Sequence, residues 1–198
     1  MERTITKEEL NKFTIEEFNG TITEVDTINS AEKAIDYLYQ FKCLGFDTET
    51  RPSFKKGKVN GVALIQLATE NTCILFRLNK IGFIPGLEKL LSDPNITKVG
   101  LSLRDDFHTL RRTVNFEPQG FIDLQSIAKE YNIADTSLQK IYAILFNKKI
   151  SKNQRLSNWE ADVLTEPQKA YAALDAWACL KIYNELNSQN KEKKHENN

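Results

Sequence analysis

The sequence predicts an α/β domain built on a mixed β-sheet flanked by α-helices. Three observations carry that expectation. Residues 62–68 and 73–78 are richly apolar runs joined by a short polar link, the pattern of an antiparallel hairpin. Residues 96–123 set an apolar strand, a helical segment and a second brief strand in succession. From residue 124 onward helical periodicity dominates.

In chain order, Ser30 caps a helix to about residue 40, with Ala34, Ile35, Leu38 and Tyr39 as its apolar face. Residues 43–48 read as a buried strand, followed by the hairpin strands 62–68 and 73–78. Pro85 opens a short helix to residue 91. A strand over 96–100 leads into a helix over 102–112, and 121–123 is a brief strand. Helices follow at 124–131 and 137–146, then a long one ending near residue 186. The last opens with Thr165-Glu166-Pro167-Gln168, a capping-box spacing with proline in the first turn. Residues 1–186 are thus expected to form one domain, with 1–30 an extension packed on it. Residues 187–198 carry no apolar side chain and read as a disordered polar tail.

Composition narrows the class. The chain has 198 residues, 40% hydrophobic and 27% charged, as a soluble globular domain does. The longest unbroken apolar run, 141–146, is far short of the roughly 20 residues a membrane span needs. The polar start after Met1 argues against a secretory signal. Three cysteines and two histidines show no zinc spacing, which points to a reducing, cytoplasmic setting. Lys and Arg total 27 and Asp and Glu 27, so no net field favours nucleic acid. The charge is unevenly spread: residues 1–36 hold nine acids against four bases, while 51–58 and 147–155 each hold four bases and no acid. Taken alone, each basic run reads as a solvated loop.

Chemistry enters with the carboxylates. Asp47 and Glu49 stand two apart at the end of the first apolar strand and therefore project to one face. Two carboxylates there repel unless a cation lies between them, and hard divalent ions take such oxygen ligands. Tyr171 and Asp175, four apart on the last helix, also share a face. Their neighbours Ala170, Ala172, Ala173, Leu174, Ala176 and Trp177 are apolar, and a carboxylate in such surroundings must be paired or bind metal. Asp105 and Asp106 open the helix after the fourth strand, where acids also suit the helix dipole.

In this order and on these elements, the set resembles the DEDD superfamily of 3′–5′ exonucleases, in its tyrosine-containing branch with ribonuclease D and the Werner-syndrome-type exonuclease domain. The resemblance covers roughly residues 18–186. Its first motif is Leu44-Gly-Phe-Asp47-Thr-Glu49-Thr-Arg-Pro-Ser-Phe54, followed by the strand Val62-Ala-Leu-Ile-Gln-Leu67. The second is Val99-Gly-Leu-Ser-Leu-Arg-Asp-Asp106-Phe-His-Thr-Leu110. The third runs from Leu156-Ser-Asn-Trp159 through Leu164-Thr-Glu-Pro-Gln-Lys169 to Tyr171-Ala-Ala-Leu-Asp175-Ala. Within the aspartate doublet, Asp106 has the apolar residues that the family pattern places one and four positions on, Phe107 and Leu110, and Asp105 does not.

The resemblance implies a ribonuclease-H-like fold and a metal-dependent 3′–5′ exonuclease that releases nucleoside monophosphates from nucleic acid with a free 3′ end. DNA is expected ahead of RNA, although no residue can be assigned to the 2′-hydroxyl that distinguishes them. Two ions, Mg²⁺ or Mn²⁺, are implied. Asp47 would bridge them, Glu49 and Asp175 would hold one, Asp106 would support the other through water, and Tyr171 would orient the attacking water. Arg51, Phe54, Lys55 and Lys56 after the first motif, and Lys152 and Arg155 before the third, are candidates for holding the strand. No membrane partner is expected and no protein partner is identified. The competing readings are a catalytically silent nucleic-acid-binding or scaffold domain of the same fold, and an aspartate-nucleophile phosphatase. The phosphatase usually wants Asp-x-Asp and would leave Tyr171 and Asp175 without a role.

Overall fold

The computed structural model describes residues 2–55, 57 and 59–196, with side chains as far as residue 190. In chain order the elements are α1 (Lys7–Lys12), β1 (Thr14–Ile15), β2 (Thr21–Val25), α2 (Ile28–Leu38), β3 (Cys43–Thr50), β4 (Val62–Ala68), β5 (Thr72–Arg77), α3 (Leu78–Ile81), α4 (Pro85–Leu91), β6 (Thr97–Gly100), α5 (Leu103–Leu110), β7 (Phe121–Asp123), α6 (Leu124–Glu130), α7 (Leu138–Phe146), β8 (Lys148–Lys149) and α8 (Glu166–Glu196).

Six strands form one sheet in the order β2-β5-β4-β3-β6-β7. Only β4 runs against the others: it pairs antiparallel with β3 and β5, and every other pairing is parallel. All seven residues of β4 are buried, because helices cover both faces of the sheet there. On one face Phe46, Ile65, Leu67, Ile74 and Phe76 pack against α2, α4 and α5. On the other, Leu64, Ala68, Cys73 and Leu75 meet the small residues Ala172, Ala173 and Ala176 of α8. Those alanines let α8 lie close to the sheet. Gly45 completes the approach, since a β-carbon there would collide with the Ala176 carbonyl.

The first thirty residues are more than an outer layer. β2 is an edge strand of the main sheet, and β1 pairs in parallel with β8. Glu16, buried just after β1, accepts hydrogen bonds from Tyr142 (2.6 Å), Lys148 (2.8 Å) and Lys181 (3.2 Å). Burial alone would raise its pKa, but these donors hold it down to about 2. A second buried network ties β2 to the core. The fully buried Arg77 donates to Glu24 of β2 and to the Ala161 carbonyl, and Lys169 of α8 reaches the same glutamate at 3.0 Å.

Two expectations shift. The cap of α2 is Thr27 rather than Ser30: the two side chains form a reciprocal capping box in which Ser30 is the third helical residue. At the other end, α8 continues past residue 186 to Glu196 and takes in most of the stretch expected as a tail. Gln, Lys and Glu dominate there, and such residues propagate backbone hydrogen bonds without any need for burial. The expected Thr165–Gln168 box is present, with the Thr165 amide donating to Gln168 Oε1 at 3.0 Å and the Gln168 amide to Thr165 Oγ1 at 3.4 Å.

Candidate metal centre

The centre forms where β3 meets α8. Asp47 and Glu49 project from the same face of β3, and the close approach at Gly45 sets Asp175 of α8 against them. Asp47, Glu49 and Asp175 each offer one carboxylate oxygen, and these oxygens all lie within 4.8 Å of one another. Glu49 and Asp175 are each only 8% exposed.

Three acids this close and this buried resist ionisation. Burial raises Asp47 well above the usual carboxylate range, and the charges of Asp175, Glu49 and Asp106 add to it. Glu49 is pushed up to about 9 by burial and then by Asp175 and Asp106, against a smaller opposing pull from Arg155. Burial lifts Asp175 to about 7, opposed by the Tyr171 hydroxyl and by Lys152. The donor set fits a divalent cation. It is all oxygen, as hard cations prefer, and Asp175 Oδ1 is buried with no hydrogen-bond partner among the described residues. Cys73 and Cys179 lie close by, but burial drives both thiols far above their ordinary pKa, so neither offers a thiolate.

Asp106 approaches from α5, in the layer opposite α8. It accepts a hydrogen bond from Thr48, between the two β3 acids, and burial raises it to about 6 in spite of that bond. Asp105 is exposed. Asp106→Asn is therefore expected to cost far more turnover than Asp105→Asn, because neighbouring helical side chains diverge by about 100°. Equal losses in steady-state assays of the two variants would reverse the assignment. Ser102, at the mouth of α5, holds a left-handed φ of 58°. Asp123 at the end of β7 secures that turn, accepting from the Ser102 amide at 3.2 Å and the Leu103 amide at 3.0 Å. Asp123 thereby orients the helix that carries Asp106.

Tyr171 interacts with Asp175 and lies beside the buried Trp159, their ring centroids 6.0 Å apart. Burial, then the charges of Asp175 and Glu49, push the phenol well above its ordinary pKa. It therefore stays protonated, a hydrogen-bond donor rather than a base.

The candidate strand-holding residues divide. Lys152 and Arg155, in the segment before α8, are exposed and lie near enough to the cluster to favour ionisation of Asp175 and Glu49. Arg51 turns instead to Glu160 in a 3.1 Å ion pair, which joins the loop after β3 to the segment before α8. Phe54 is 87% exposed and Lys55 is exposed. Lys56 and its neighbour Lys58 lie outside the described residues. Thr48 and Asp123, which the sequence did not single out, both bear on the placement of Asp106. Asp123 is invisible to local pattern because its partners lie about twenty positions upstream.

A sheet with one reversed strand and a carboxylate cluster at the end of its central strand defines a ribonuclease-H-like nuclease domain. The chain belongs to the 3′–5′ exonuclease family, whose model matches residues 22–191. It is 38% identical over 149 residues to the mouse bifunctional 3′-5′ exonuclease/ATP-dependent helicase WRN, across 72% of this chain and 11% of that protein. The chain thus spans only a small part of that relative. Among solved structures it is similar to the Aedes aegypti Nibbler EXO domain, with a TM-score of 0.80 and 22% identity over 90% of this chain and 93% of that one. It is also similar to Trypanosoma brucei RNase D in complex with RNA U12, with a TM-score of 0.75 and 20% identity over 85% of this chain and 63% of that one. Among the described residues no helix is long and apolar enough to cross a membrane.

Proposed function

We propose that this chain is a metal-dependent 3′–5′ exonuclease that removes nucleoside monophosphates from the free 3′ end of a nucleic acid, with DNA ahead of RNA and with two Mg²⁺ or Mn²⁺ ions. The observation that carries this reading is the trio Asp47, Glu49 and Asp175, with Asp106 and Tyr171 against it, in a member of the exonuclease family. DNA is placed first on the resemblance of the three motifs to the Werner-syndrome-type exonuclease domain, while the RNA complex of the Trypanosoma neighbour keeps RNA in view. Three free cysteines suit a reducing, cytoplasmic setting.

The four carboxylates would hold the metal: Asp47, Glu49 and Asp175 as the clustered trio, with Asp106 beside it. A divalent metal bound there would supply acidity to the attacking water and charge stabilisation to the attacking and leaving oxygens. Tyr171 donates its hydroxyl to position that water on the side of Asp175. Trp159 lies beside the tyrosine ring, with the centroids 6.0 Å apart. Lys152 and Arg155 receive the phosphates upstream of the scissile bond.

The test is digestion of 5′-end-labelled single-stranded, duplex and recessed DNA, and of RNA, with Mg²⁺ or Mn²⁺ and with EDTA. A metal-dependent ladder shortening from the 3′ end, with mononucleotide product, is expected. Intact substrates at every metal concentration would overturn the reading in favour of a silent binding domain. The same substrates test the basic residues. The double charge reversal Lys152→Glu with Arg155→Glu is expected to raise KM, with a smaller fall in kcat because both cations also favour ionisation of Asp175 and Glu49. It should also flatten the slope of log affinity against log salt by about 0.7 for each phosphate no longer neutralised. An unchanged slope returns both residues to ordinary solvated charges.

A further inference from the structure

Gln66 stands out among the side chains the mechanism leaves unused. It occupies the middle of β4, directly opposite Asp47 in the antiparallel register with β3. Side chains of such a cross-strand pair emerge on the same face with β-carbons about 4.5–5.5 Å apart. Gln66 is fully buried, and among the described residues neither Nε2 nor Oε1 has a hydrogen-bond partner. Its neighbours on that face are apolar: Leu64 and Ala68 two positions away on β4, and Leu75 opposite it on β5. A carboxamide held unpaired inside an apolar layer is unfavourable, and a native chain rarely keeps one without a role. The acceptor facing it across the ladder is Asp47.

We infer that Gln66 is a positioning residue for the metal centre: its Nε2–H, without a partner among the described residues, turns to the Asp47 carboxylate across the ladder once a cation is bound and aims that carboxylate's remaining oxygen lone pairs at the cation. The inference rests on the metal-centre reading above. A ligating carboxylate needs an outer partner to fix its orientation, and loss of such a partner typically lowers metal affinity 10- to 100-fold. β4 supplies that partner from the most fully buried strand of the sheet, where the backbone on both sides is locked into ladders.

The test is Gln66→Met, which keeps length and volume and removes the amide. The probe is Mn²⁺, titrated by calorimetry into the full chain, alongside thermal melts in EDTA. The expected result is a 10- to 100-fold weaker Mn²⁺ affinity, with a metal-free melting temperature equal to or above wild type, because the variant buries no unpaired amide. An Mn²⁺ affinity within about threefold of wild type overturns the inference and makes Gln66 a packing residue, since the loss of an outer partner costs at least tenfold. A variant that melts lower in EDTA, or is unfolded there, also overturns it, since the amide would then be stabilising the metal-free fold. Wild-type protein that binds no Mn²⁺ overturns the metal-centre reading itself. Normal wild-type binding with an unaffected variant overturns only the role given to Gln66.

Discussion

Asp175→Ala, and separately Asp47→Ala, is expected to abolish nucleotide release and to raise the melting temperature of the metal-free protein. Both effects follow from the same crowding. Burial, joined at Glu49 by repulsion from Asp175 and Asp106, holds Glu49 at about 9 and Asp175 at about 7 in the folded chain, against about 4 for such acids when unfolded. The folded state therefore keeps protons that the unfolded state has released. Their contribution to stability is present below about pH 4 and is lost as pH rises through the folded values. Wild-type protein in EDTA should thus melt lower at about pH 9 than at about pH 5, and either alanine variant should flatten that decline. Saturating Mg²⁺ should reverse the order, because a ligand that binds only the folded wild type stabilises it. Turnover assays with melts across that pH range check all of this. Normal turnover in either variant would remove that carboxylate from the centre.

Tyr171→Phe is expected to lower kcat on the order of 10²-fold, with KM and Mn²⁺ affinity little changed, the scale seen when a positioned donor to a reacting group is lost. Phenylalanine preserves the ring beside Trp159 and the helix, and removes only the hydroxyl that meets Asp175. Were Tyr171 merely a packed core residue, the same change would lower stability by about 1 kcal/mol and leave kcat near normal. Steady-state kinetics and a melting curve on one preparation separate these outcomes. Wild-type kcat with a depressed melting temperature would take the hydroxyl out of the reaction.

The elements most legible in the sequence were those with strong local signals. The continuous apolar run of β4 and the proline-led α4 fall at their expected bounds, because burial on both faces and a fixed first turn leave little choice. β2 was not foreseen. Its Thr-Ile-Thr-Glu-Val alternation covers only five residues, and its place in the sheet depends on β5, some fifty positions later. The misplaced cap of α2 shows why boundaries are weaker than cores: Thr27 and Ser30 are both good capping residues, and the box uses each in a different role. At the centre, the spacings Asp47–Glu49 and Tyr171–Asp175 were readable because strand and helix periodicity bring each pair to one face. What joins the pairs was not readable. The close approach of Gly45 to Ala176, the bond from Thr48 to Asp106, and the hold of Asp123 on the start of α5 are tertiary, and no local pattern announces them. The basic runs could be seen but not ranked, since only the path of the loops decides that Lys152 and Arg155 approach the carboxylates while Arg51 turns to Glu160.

The ligand trio also has a bearing on how the chain folds. Asp47 and Glu49 belong to an early strand, whereas Asp175 belongs to the last helix. Closing so long a stretch carries an entropic cost that grows with the intervening length, and pairings of this span form late. A chain emerging from synthesis can pair β3 with β4 well before α8 exists, and at that stage it displays two acids but no complete cage. The proposed metal cage would then be completed by the docking of Ala172, Ala173 and Ala176 onto the sheet, the same event that buries the final apolar layer. On the proposed reading, partly folded or truncated species would lack the third carboxylate, and hydrolytic capacity would be coupled to completion of the native topology.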